Sequence, residues 1–128
     1  MPWVSQASFN PPGITVSVPK EGSPDGLTLL NAKFSINIMG AGKQGPTLKL
    51  LNSGTRVGAT AFDGFSIERE EVTGCAYLTD AASVMQCTVT NRMDTGDHWL
   101  LLSTIEEGKV LDANAVTYFH HREDGSVY

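Results

Sequence analysis

The feature that most constrains this chain is its rhythm of short alternating runs, each closed by glycine or proline. Ile14-Thr15-Val16-Ser17-Val18 alternates apolar with small polar residues, the period of a strand with one buried face. Pro11-Pro12-Gly13 precedes it and Pro19 follows it, and both act as breakers. Lys33 to Met39 alternates again, placing Phe34, Ile36 and Ile38 on one face, and stops at Gly40-Ala41-Gly42. Phe65-Ser66-Ile67-Glu68 is a weaker strand. Val84 to Thr90 and His98 to Ile105 are longer ones, joined through Asn91 to Asp97 with Gly96 in the link, a spacing that suits a hairpin. Val116 to His120 is β-rich and is expected to be the last strand.

Helical signal is thin. Thr28 to Asn31 is expected to form one or two turns, with Asp25 near its start as a cap, and Thr47 to Leu51 is expected to form another, ended by Asn52-Ser53-Gly54. Many short strands, glycine and proline turns and few helices predict an antiparallel barrel or sandwich. At 128 residues the chain has the length of one domain with one core. The stretch from Gly40 to Gly58 holds five glycines and is the expected loop.

Charge excludes further classes. Nine Lys and Arg stand against 14 Asp and Glu, a net charge of -5. That balance argues against nucleic acid, since gripping phosphates needs a surplus of bases. The charge is uneven: the balance is +3 up to Phe62 and -8 from Asp63 onward. A bound anion is therefore expected on the N-terminal half. The longest apolar run, around Trp99 to Leu102, is strand-sized and far short of a membrane span. Met1-Pro2-Trp3 lacks the basic start and apolar stretch of a signal peptide, so a cytoplasmic chain is expected, with Cys75 and Cys87 as reduced thiols. No metal site is expected: two Cys without partner His make a poor zinc site, and adjacent His120 and His121 point to opposite faces of a strand.

Four segments in order carry a family resemblance. They are Trp3 to Pro12 with the strand Ile14 to Val18; Lys33 to Ile38; Gly74 to Ala82 running into Met85 to Val89; and Gly96-Asp97-His98-Trp99 followed by Glu107 to Asp112. Together they resemble the flavin reductase-like domain, an FMN-binding split β-barrel. The wording WVSQASFNPP, NRMDTGDHW and HHREDG is most similar to the flavin reductase module at the C-terminus of flavodiiron proteins of oxygenic phototrophs. The resemblance implies a mainly β, antiparallel Greek-key split barrel with one or two short helices. It also implies an FMN cofactor, NAD(P)H as electron donor, and either a homodimer or attachment to the rest of a flavodiiron protein. Such a domain is cytoplasmic, or stromal in a plastid-bearing phototroph.

The resemblance carries roles onto particular residues. Ser5, Gln6, Ala7 and Ser8 match the stretch that lines the FMN site, where small side chains let a flat ring approach the backbone. Trp3 abuts that stretch and is the best-placed ring stacker. Lys20 and Ser23 fall near the strand end where the family places the FMN phosphate, with Lys33 a second cation and Asn37 on the neighbouring strand. Gly96-Asp97-His98 matches the Gly-Asp-His signature, with His98 near the flavin and nicotinamide rings and Asp97 orienting it. Three departures accompany the match. The family's hairpin upstream of the WVSQASF-like segment is expected to be missing from a domain spanning 1–128. Gly40 to Gly58 is short, and Ala76 and Gln86 stand where relatives usually carry Pro and Glu. No GxGxxG accompanies the strands, so NADH and NADPH are not distinguished. The alternatives are a split-barrel binding or dimerisation module without reductase activity, and an oxidoreductase of the same fold acting on another bound small molecule.

Overall fold

The computed structural model of the chain describes residues 3–23, 26–43 and 64–118. Seven strands run through them: β1 (Trp3–Phe9), β2 (Pro12–Pro19), β3 (Lys33–Ile38), β4 (Ile67–Arg69), β5 (Ala76–Leu78), β6 (Ser83–Asp94) and β7 (His98–Val110). Five form one sheet in the order β1-β2-β7-β6-β3, and β4 pairs with β5 alone. Every pairing is antiparallel. The chain therefore leaves β2, crosses over β7 and β6, and enters the sheet again at its far edge.

The alternation read from the sequence decides which face is filled. Ile14, Val16 and Val18 of β2 pack with Val89 and Cys87 of β6 and Leu101 of β7 into one buried cluster. Phe34 and Ile36 of β3 lie against it. Each fully buried aliphatic side chain contributes about 1.5–3 kcal/mol, which makes this cluster a main source of the sheet's stability. A second cluster, Tyr77, Leu78, Ala81 and Val84, lies under the β4–β5 hairpin with Met39, Phe65, Ile67 and Leu111.

Several sequence expectations change. Thr28 to Asn31 is not helical. Leu29 N–H donates to Gly26 O and Ala32 N–H to Leu29 O, the closures of successive tight turns. Asn31 takes a φ of 65°, a left-handed conformation that Asn tolerates and that ends any helix. Its N–H instead donates to Val89 O, and Val89 N–H donates to Ala32 O, so the turn continues the pairing of β3 along β6. Pro12 and Pro19 lie in the end positions of β2 rather than outside it, where a missing N–H removes no interior ladder bond. β6 runs on to Asp94, so the hairpin link shortens to Thr95-Gly96-Asp97. Gly96, at φ 107°, supplies the turn conformation a side chain would resist. The weak strand at Phe65 shifts to Ile67–Arg69. The expected last strand reduces, among the described residues, to a single bridge between Thr117 and Gly40. Thr47 to Leu51, Asp25 and the His120-His121 pair lie outside the described residues.

Candidate functional site

The strand register sorts the candidate residues onto two faces. Trp3 pairs with Ser17, and Ser17 with Leu100; Pro19 pairs with His98. Because successive side chains alternate, Trp3, Ser5, Ser17 and His98 share the face opposite the Ile14–Val16–Val18 core. A bulge between Gln6 and Ser8 returns Ser8 to that outer face beside Gly13. A Cβ on Gly13 would stand 3.4 Å from the Ser8 Cβ. β1 is an edge strand, and its residues are exposed apart from a half-buried Ser8. Its outer face thus presents two hydroxyls and an indole on the edge strand of the sheet formed by the described residues.

Trp3 and His98 meet across this face. Their ring centroids are 5.4 Å apart with the planes 17° from parallel, a stacked pair. His98 Nδ1 lies 2.8 Å from Asp97 Oδ1. That bond, followed by the charge on the ring, holds the Asp97 carboxyl below its ordinary value. An ionised carboxylate only accepts, so Nδ1 carries the hydrogen; in the neutral ring Nε2 is left as an acceptor. The His98 side chain is 26% exposed and Asp97 92%, so the imidazole is held between indole and carboxylate while one edge stays open.

The opposite side of the same strand end has a different character. Trp99 follows His98 and so turns to the core side, packed on the main cluster. Lys20 Nζ sits 4.9 Å from its ring centroid, and the Arg92 guanidinium 4.4 Å. Lys20 Nζ also reaches Asp94 Oδ1 at 2.7 Å, and that bond is the main cause of the lowered Asp94 carboxyl, aided by the Gly96 N–H. Lys20 N–H donates to Asp97 O at 2.8 Å, tying the two faces together at one backbone junction. Arg92 Nη1 donates to Thr28 O and so holds the 26–31 turn to β6.

The remaining candidates are scattered. Ser23 Oγ donates to Pro19 O. Lys33 is exposed on β3, opposite Thr88. Asn37 is engaged structurally: its side-chain oxygen accepts the Leu78 N–H at 2.8 Å and fixes β5 against β3. The structure thus brings together Trp3, Ser5, Ser8, Asp97 and His98. It sets Lys20 across the strand end from them and keeps Lys33 and Asn37 at the far edge strand. Sequence reasoning missed Arg92 and Asp94, whose place beside Trp99 depends on a bulge at Val89/Asn91 that no residue pattern announces. Among the described residues no group of three His, Cys, Asp or Glu could hold a metal ion, and no helix is long and apolar enough to cross a membrane.

These features meet a known pattern over nearly the whole chain: the family model for the flavin reductase like domain matches residues 1–127. The chain belongs to that family. It is 37% identical over 126 residues to diflavin flavoprotein A 1 of Synechocystis sp., covering 98% of this chain and 22% of that protein. A Nostoc sp. protein of the diflavin flavoprotein A series is 41% identical over 128 residues, again with 98% of this chain and 22% of the relative covered. The chain therefore spans about a fifth of the length of these relatives. Among solved structures it is similar to the NADH:FAD oxidoreductase SgcE6 of Streptomyces globisporus C-1027, with a TM-score of 0.77, 20% identity, and 89% of this chain and 67% of that one covered. BorF, the flavin reductase component of a bacterial two-component tryptophan halogenase, superposes with a TM-score of 0.73 at 24% identity, covering 85% of this chain and 68% of its own. The expected mainly β, antiparallel split barrel is the fold of this flavin reductase-like domain; the expected helix at Thr28 to Asn31 is absent, and the one at Thr47 to Leu51 lies outside the described residues.

Proposed function

We propose that this chain is an FMN-binding domain that takes electrons from NAD(P)H, and that it does so as one part of a larger diflavin flavoprotein that delivers them to oxygen. The observation that carries this reading is the outer face at the β1 edge: a stacked Trp3–His98 pair, with His98 held by Asp97, beside the hydroxyls of Ser5 and Ser8. Family membership and the reductase neighbours support it. SgcE6 has also been solved in complex with NAD and FAD fragments.

The donor set fits a flavin. The exposed backbone of Ser5, Gln6, Ala7 and Ser8 and the two hydroxyls would meet the polar edge of the ring system, and Trp3 offers a flat apolar surface. Lys20 and Ser23, one strand end away, would hold the phosphate. Lys33 and Asn37 lie on the far edge strand, and the Asn37 side-chain oxygen is taken by the Leu78 N–H, so neither belongs to this donor set. When bound, FMN supplies the exchange between two-electron and one-electron chemistry. The protein would position the ring and keep one proton in place: Asp97 holds the hydrogen on His98 Nδ1, which leaves Nε2 of the neutral ring as the acceptor available to a nicotinamide.

The reading is tested by steady-state NADH and NADPH oxidation by the purified chain, with and without added FMN. FMN-dependent oxidation supports it. Oxidation that is absent with both nucleotides and FMN present leaves a split-barrel binding or dimerisation module instead.

A further inference from the structure

Asp97 stands in a poor place to hold an imidazole steady. Its side chain is 92% exposed, and it lies in the three-residue link between β6 and β7, outside both buried clusters. The 2.8 Å bond between His98 Nδ1 and Asp97 Oδ1 nevertheless depends on where the Asp97 backbone stands. Packing does not place it, so polar contacts must.

Three hydrogen bonds do so, and they close into a ring. Lys20 N–H, just past the end of β2, donates to Asp97 O at 2.8 Å. Lys20 Nζ donates to Asp94 Oδ1 at 2.7 Å. Gly96 N–H donates to the same oxygen at 2.9 Å. The circuit runs from Asp94 through Lys20 to Asp97 and returns through Gly96. Two of its three bonds end on Asp94 Oδ1, so losing that atom leaves only the bond from Lys20 N–H to Asp97 O. The hairpin itself does not need the carboxylate. Thr95 N–H and Oγ1 both donate to His98 O, at 3.1 and 3.0 Å, and close the turn. The carboxylate instead ties the turn to the end of β2. Lys20 Nζ is also steadied by the Trp99 ring, 4.9 Å away. An ammonium has three hydrogens, so the bond to Asp94 leaves others for a phosphate. The Lys20 and Asp94 side chains are 32% and 56% exposed, and ion pairs so exposed add little to stability. The effect of this pair is therefore expected chiefly in geometry.

We propose that Asp94 is a positioning residue for the Asp97–His98 pair. Its Oδ1 fixes the Asp97 backbone through Gly96 and Lys20. Asp97 in turn keeps the hydrogen of His98 on Nδ1 while the ring stacks on Trp3. The consequence for catalysis rests on the reductase reading above, since a displacement of about 1 Å in a reacting group can cost much of the rate. The placement of His98 itself requires no flavin.

The flavin-free test uses the ¹⁵N-labelled chain at about pH 8.5, where an imidazole is neutral. The ring ¹⁵N shifts of His98 report its tautomer, which is set by the bond that the ring makes. Water exchange of the Lys20 amide reports the bond to Asp97 O, which contains no atom of Asp94. The wild type is expected in the Nδ1–H form. Asp94→Ala should move the ring toward the Nε2–H form and speed exchange at Lys20 about tenfold. Asp94→Asn keeps an oxygen for Gly96 and Lys20 and should restore most of both signals. Lys20→Met cuts the Nζ bond but keeps the backbone N–H, and should move the tautomer in the same direction; it decides the matter should Asp94→Ala fail to fold. With FMN present, Asp94→Ala should lower kcat for NAD(P)H oxidation about threefold to tenfold with KM for the nucleotide nearly unchanged. An Asp94→Ala chain with the wild-type tautomer and the wild-type Lys20 exchange rate overturns the proposal, as does a wild-type ring in the Nε2–H form. A wild type without FMN-dependent oxidation would sink the reductase reading alone, and the ring and amide signals still decide the placement of His98.

Discussion

Replacing Ser103 by Ala should make this domain more stable. Ser103 sits in the middle of the barrel core, paired with Ile14 on one side and Val89 on the other. It is 1% exposed, and its hydroxyl has no hydrogen-bond partner. Folding removes that hydroxyl from water and returns nothing, a penalty of about 1–3 kcal/mol. Deleting the oxygen also removes some packing contact, so the net gain is about 1 kcal/mol, which for a domain of this size raises Tm by about 4 °C. The comparison is Leu101→Ala on the same strand and the same face. Leu101 is fully buried, and its truncation should cost about 2–5 kcal/mol. Urea unfolding of the three proteins, followed by tryptophan fluorescence, reads both changes. A loss of 1 kcal/mol or more in Ser103→Ala would refute the reasoning, because it would mean the hydroxyl is bonded and the core is built differently.

The other expectations concern thiols, acid and the imidazole. Cys87 is fully buried and its thiol is pushed up to about 11, chiefly by burial, whereas Cys75 is only half-buried. An alkylating reagent at pH 8 should therefore modify Cys75 first and Cys87 only on unfolding; equal rates by mass spectrometry would contradict the core. Asp94, Asp97 and Glu70 all have carboxyls held below their ordinary values, by Lys20, His98 and the Thr73 N–H respectively. Depressed carboxyls stabilise the fold above the usual carboxylate range and lose that contribution as pH falls through the lowered values. Tm should therefore drop below about pH 4, and Asp94→Asn should flatten the drop; an unchanged acid limb in that variant would remove the Lys20–Asp94 pair from the account. His98→Ala should slow hydride transfer about tenfold to a hundredfold while leaving urea unfolding nearly unchanged. An unaltered rate would take His98 out of the site.

How much of this was legible in the residues depended on whether burial or register set the answer. Val16, Phe34 and Ile36 alternate with polar neighbours, and that period placed them on a buried face, whereas Leu101 stands between two leucines and only its pairing with Val16 puts it in the core. β1 was harder, because Trp3–Phe9 is an edge strand with almost nothing buried, so its alternation has no apolar side to reveal it. β5 is three residues long and carries no period at all. The turn at Thr28 has helical-looking leucines, but Leu29 and Leu30 are exposed, and the Asn31 N–H and Ala32 carbonyl bond to Val89 of β6. Within the candidate site, the Gly96-Asp97-His98 wording singled out the corner where His98 stacks on Trp3. The division that puts His98 with Trp3 on one face, and Lys20 with Trp99 and Arg92 on the other, follows from pairing register and from the bulges in β1 and between β6 and β7. Register is a tertiary property, and a one-residue slip would exchange the two sets. Gln86 stood out in the sequence only as a departure; its burial against Ser35 and Thr73 became visible in the fold.

The central claim is that the β1 edge, with Trp3, Ser5, Ser8 and His98, holds a flavin. Titrating the purified chain with FMN and recording its visible spectrum and its tryptophan fluorescence tests this most directly. The account predicts saturable binding of one FMN per chain, absorption near about 450 nm that stays with the protein through desalting, and quenched indole emission that weakens in Trp3→Ala. A protein that remains colourless after desalting from excess FMN, with fluorescence unmoved, would contradict it.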